Sequence, residues 1–155
     1  MPDREIVDLI EEKSALMRRH VIEMGYKAGG RGAHFGSALS SIEIVASLFF
    51  GVMNHNPGNP LMEDRDRFVQ SKGHACLALY SALGEAGYIT QAQMDTFKAE
   101  GSFLAGHPTR NPQYGHRTTR RESQTSTTRC SITSTRTRIT RILRRWRRIV
   151  IASGA

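Results

Sequence analysis

Residues 67–88 read RFVQSKGHACLALYSALGEAGY, and how this stretch folds decides the architecture of the chain. Phe68 and Val69 lie at the centre of a short strand, and Gly73 permits a tight turn. The apolar run through Leu77, Leu79, Tyr80 and Leu83, with Gly87 near its end, has the spacing of a buried helix. A strand that turns on glycine and opens into a helix is the junction of an open α/β sheet. At such junctions ligands bind beyond the carboxyl end of the strand, and the unpaired amides of the helix N-terminus favour a phosphate or carboxylate. His74 stands at that opening, where it either donates a hydrogen bond to an anion or simply caps the turn.

Upstream, residues 3–29 place Ile6, Leu9, Ile10, Leu16, Met17, Val21 and Met24 on one stripe, predicting an amphipathic helix of about six turns. It stops in GGRGAHFGSALS, residues 29–40, a glycine loop that carries His34. The loop is not a dinucleotide fingerprint, because the glycine spacing differs and no strand precedes it. A second helix is expected to open on a Ser40–Glu43 capping box and to run buried through Ile44, Val45, Leu48, Phe49, Val52 and Met53. Downstream, Thr90 and Gln93 form another capping-box pair, and AGHP sets His107 in a loop stiffened by Pro108.

An imidazole titrates near neutral pH and both donates and accepts hydrogen bonds, which suits proton transfer on hydroxyl groups. His34, His74 and His107 are therefore the candidate site residues, against the plain alternative that each is a solvated loop histidine. Glu63, Asp64 and Asp66 alternate with Arg65 and Arg67 and read as a solvated, self-paired face rather than metal ligands. Cys76 reads as a small packing residue.

The charge is divided unevenly. Residues 1–115 hold 11 Lys+Arg against 13 Asp+Glu, a net of −2, while residues 116–155 hold 11 Arg against one Glu, a net of +10. The overall +8 therefore belongs to the tail and does not make the first part a nucleic-acid binder. Cys76 and Cys130 form no CxxC or other metal spacing, which points to a reduced, cytoplasmic setting. No apolar run approaches the ~20 residues that span a bilayer.

AHFGSALSSIEI, VMNHNPGNP, DRDRFVQSKGHACLALYSALGEAGY and AGHP, in this order, resemble the N-terminal part of transketolases, in particular the split bacterial and archaeal form. The resemblance covers about residues 4–115 and departs from the family's usual Gly-His at Ala33–His34. It implies an α/β fold: an incomplete, helix-rich N-terminal part of a thiamine-diphosphate-binding parallel-sheet domain. It further implies thiamine diphosphate with Mg²⁺ or Ca²⁺ as cofactors, sugar phosphates as substrates, and transfer of a two-carbon ketol unit between them. His34 and His107 match the family's catalytic, substrate-facing histidines, and His74 its cofactor-facing one. An intact version is expected to pair with a C-terminal transketolase chain and to form a homodimer or heterotetramer.

The family's continuation, which carries the metal ligands, is not visible after Gly115. Codons chosen to encode Gly115–Ser123 give, one base out of frame, Gly-Ile-Glu-Gln-Leu-Gly-Gly-Ser-Leu, close to that continuation. The expectation is thus a transketolase fragment at 1–115, inactive alone, with a frameshifted tail at 116–155 that is disordered or partly helical. Its single strand lacks partners, so apolar surface is expected along Phe68, Val69 and the second helix. The alternative is a basic membrane- or nucleic-acid-binding protein acting through residues 139–151, where Ile, Leu, Val and Trp recur at helical spacing among arginines.

Overall fold

The computed structural model describes residues 4–109, residue 111 and the segment 130–133. The predicted first helix forms as α1, Arg4–Ala28. Its buried side is Ile10, Ser14, Met17, Val21, Met24, Gly25 and Ala28, three- and four-residue steps apart except for the adjacent Met24 and Gly25. Leu9, expected on that stripe, is exposed instead, and the small Ser14, Gly25 and Ala28 take part in the contact. Gly25 is needed there. A Cβ on it would lie 2.2 Å from Phe35 Cζ, so only glycine admits the phenyl ring against the helix.

After a short 3₁₀ turn at Gly29–Arg31, the segment Phe35–Leu39, read from sequence as part of the glycine loop, forms a short helix α2, and the expected second helix begins as α3, Ile42–Ala46. The Ser40–Glu43 capping box does not form. Ser40 Oγ donates to Ser37 O, the cap position falls on Ser41 with no side-chain cap bond, and Glu43 is drawn into an ion pair with Arg18 of α1. α3 then widens into π-type turns over Ser47–Val52.

The next segment closes on itself. Asn54 N donates to Asp66 Oδ2 at 2.8 Å, and Asp66 N donates back to Asn54 O at 2.8 Å. Asp66 is 3% exposed, which corrects its place on a solvated face, while Glu63 and Asp64 do lie in solvent. The alternation with arginine cannot report a backbone amide twelve residues away that needs an acceptor.

β1, Arg67–Gln70, leads through a 3₁₀ turn at Gly73–Ala75 into α4, Cys76–Glu85. Every residue from Cys76 to Leu83 is buried, so α4 is the central helix, apolar all round as its sequence suggested. Its C-terminal Glu85 accepts from Lys13 Nζ at 2.8 Å and from His20 Nε2 at 2.7 Å, joining α1 to α4. α5, Gln91–Met94, opens on the predicted Thr90–Gln93 capping box, with both reciprocal bonds present.

β1 finds a partner within the chain. It pairs antiparallel with β2, Cys130–Thr133, in the register Phe68 to Ile132 and Val69 to Ser131. This corrects the expectation that the strand lacks partners within the chain; of the tail, expected to be disordered or partly helical, only Cys130–Thr133 lies among the described residues. An open strand edge presents unpaired amides and carbonyls, and the β-branched Ile132 and Thr133 suit the extended backbone that satisfies them. Among the described residues no parallel pairing occurs. Phe68 is 3% exposed and its ring packs edge-on to Phe49 at 5.7 Å, so the expected apolar surface is lacking at Phe68, whereas Val69 is half-buried and Ile44 on the second helix, at 51%, is exposed as expected. The helical spacing read at 139–151 lies outside the described residues.

Candidate active site

The site is built where β1 ends. Gln70 Nε2 donates to Ala75 O at 3.0 Å, folding the turn so that His74 is presented just before the N-terminus of α4. His34 comes from the glycine loop ahead of α2, and its ring meets that of His74 edge-on with centroids 5.5 Å apart. His107 arrives from the opposite side. A Cβ on Gly73 would lie 2.9 Å from His107 Cδ2, so the absence of a side chain there lets the imidazole rest on the turn.

Two bonds from α4 fix the backbone just before His107. Tyr80 Oη donates to Ala105 O at 2.8 Å, and Cys76 Sγ donates to Gly106 O at 3.2 Å. Both donors are buried among apolar neighbours. Burial raises the Tyr80 phenol well above its ordinary value and pushes the Cys76 thiol up to about 12, so both keep their hydrogens and act as donors near neutral pH. Cys76 is therefore a packing residue, as its sequence context suggested, and also a hydrogen-bond donor, which that context did not reveal.

The three candidate histidines, from three separate loops, are thus brought together. Desolvation, followed by the charges of His34, Lys72 and His107, holds the His74 imidazole below its ordinary pKa. A neutral His74 near pH 7 retains one nitrogen that donates and one that accepts. His34 and His107 beside it are exposed.

The other two histidines of the described residues are structural. His20 holds Glu85, and His55 Nε2 donates to Phe49 O at 2.8 Å while Nδ1 accepts from Tyr88 Oη at 3.2 Å. Alongside the histidine cluster, Ser37, Ser41, Ile44, Phe68, Gln70 and Lys72 line part of a groove of about 190 Å³. Gln70 Oε1 is buried without a hydrogen-bond partner among the described residues.

Residues 12–136 match the family model for the transketolase, thiamine diphosphate binding domain. The chain belongs to this family. The transketolase match runs past the change of composition at Gly115 and takes in β2. Among curated relatives, an apulose-4-phosphate transketolase subunit of Phocaeicola vulgatus is 40% identical over 103 residues, covering 66% of this chain and 36% of that protein. Its namesake from Actinobacillus succinogenes is 36% identical over 108 residues, 70% of this chain and 39% of its own length. Human transketolase is 35% identical over 107 residues, 69% of this chain and 17% of its own. The chain thus matches two fifths or less of the length of these transketolases.

None of the three histidines lines the groove of about 190 Å³, which lies beside them. Among the described residues no three His, Cys, Asp or Glu side chains gather to hold a metal ion. A hard divalent cation wants several oxygen ligands, and thiamine diphosphate needs such a cation at its diphosphate.

Proposed function

We propose that this chain is the N-terminal piece of a transketolase and contributes the histidine side of its active site. In that reading the assembled enzyme transfers a two-carbon ketol unit between sugar phosphates, and thiamine diphosphate supplies the carbanion chemistry. His34 and His107 meet the sugar hydroxyls, where an imidazole accepts a proton from one oxygen and returns it to another. His74, at the helix N-terminus and neutral, is the group that faces the diphosphate.

One observation carries the reading: three imidazoles from separate loops converge at the end of β1. The same observation sets its limit. Three imidazoles supply no oxygen ligands for a cation, and no cation-binding cluster gathers among the described residues, so on this reading the chain alone is inactive and needs a second body. The bacterial relatives are themselves named as transketolase subunits, which supports a partner chain of the split type. No helix among the described residues is long and apolar enough to cross a membrane, and a cytoplasmic enzyme is in keeping with that.

The segment after Gly115 is, on this account, a shifted reading of the family's continuation. Sequencing the gene around codon 115 tests it: an alternative frame running on into the family's acidic metal-binding segment supports the shift, and an uninterrupted single frame refutes it. For the activity, a ketol-transfer assay on the purified chain with thiamine diphosphate and Mg²⁺ is expected to read zero. Transfer by the unaided chain would end the proposal of inactivity.

A further inference from the structure

Lys98 connects the two loops that carry His34 and His107, although it lies in neither. Its ammonium donates to Arg31 O at 2.8 Å and to Gly32 O at 2.9 Å, on the glycine loop just ahead of His34. Its stem crosses Gly106 so closely that a Cβ there would lie 2.5 Å from Lys98 Cε, and the next residue is His107. The same ammonium stands 5.8 Å from the centroid of the Phe97 ring. Among the described residues Lys98 alone, glycines aside, has a positive φ, 57°, and its amide donates to Leu104 O at 3.0 Å. A long side chain in left-handed backbone is unfavourable, and such conformations persist where surrounding contacts hold them. Here the left-handed residue is the one whose ammonium bridges to the glycine loop.

We propose that Lys98 is a positioning residue: it ties the His34 loop to the His107 loop, so that both imidazoles are held beside His74. The inference goes beyond the functional reading above. Its readouts need neither cofactor binding nor turnover, so its failure is separate from any failure of that reading.

The test uses the full-length chain and histidine carbethoxylation by diethyl pyrocarbonate, followed residue by residue in a mass spectrometer. Lys98→Met keeps the apolar stem over Gly106 and Phe97 but removes the donors. It is expected to raise the rate at His74 several-fold by loosening the flanking rings, with His20 and His55 unchanged; Lys98→Arg, which restores donors, is expected to return the parent rate. An unchanged rate at His74, a parallel rise at His20 and His55, or no rescue by arginine would each overturn the proposal. A second measurement avoids substitution altogether. In limited acetylation of the unmutated chain, Lys98 is expected to react several-fold more slowly than the exposed Lys72, and equal rates would overturn the tether whatever the variants do.

Discussion

Asp66 shows how far a single side chain can depart from its sequence context. Placed between two arginines, it has the look of a surface charge, yet it is buried and accepts the Asn54 amide that closes the segment before β1. Removing the carboxylate leaves that N–H without its acceptor in the protein, a loss on the order of 1 kcal/mol. Asp66→Ala is accordingly expected to lower the free energy of unfolding, measured by chemical denaturation, by that amount, whereas Glu63→Ala, at an exposed position, is expected to leave it unchanged. The histidines were easier to read than the aspartate. Each of His34, His74 and His107 stands beside glycine or alanine in a loop, where backbone approaches a ligand closely, and the structure gathers all three. Lys98 left no such mark, because nothing in a lysine followed by Ala and Glu announces left-handed backbone or a reach of 66 residues back to Gly32.

Helices and caps were read well where the signal is local. Thr90 and Ser40 begin the same capping-box spacing, but only Thr90 has extended backbone, φ −86° and ψ 162°, from which its oxygen reaches the Gln93 amide. At Ser40 the helix breaks, and Glu43 bonds across to Arg18, a tertiary partner that no window of local sequence contains. The same kind of long-range pairing governs how α1 and α4 respond to pH. Burial acts to raise the Glu85 carboxyl, but hydrogen bonds from Lys13 and His20 outweigh it and hold the group below its ordinary value. A carboxyl depressed in the folded state adds stability that is full above its unfolded pKa and is lost as pH falls through the folded one. Glu85→Gln should therefore weaken the chain at neutral pH and flatten the acid side of its stability profile. A denaturation series from neutral to acid pH checks this, and a slope equal to the parent's would contradict the assignment.

The α/β family was recoverable from the βα junction and the histidine loops, since both depend on local glycine and helix patterns. The pairing of β1 was not, because strand register depends on which distant segment supplies the partner, and Cys130–Thr133 lies in a stretch whose composition suggested no strand. The assembled picture is a helical core around α4 with three imidazoles gathered at the turn that follows β1. On the proposed reading, what encloses a cofactor comes from chain beyond the described residues or from a second polypeptide. Isothermal titration of the purified full-length chain with thiamine diphosphate and Mg²⁺ decides the matter. The expected result is no saturable heat, and one-to-one binding by the chain alone would show that the histidine side is already a whole pocket.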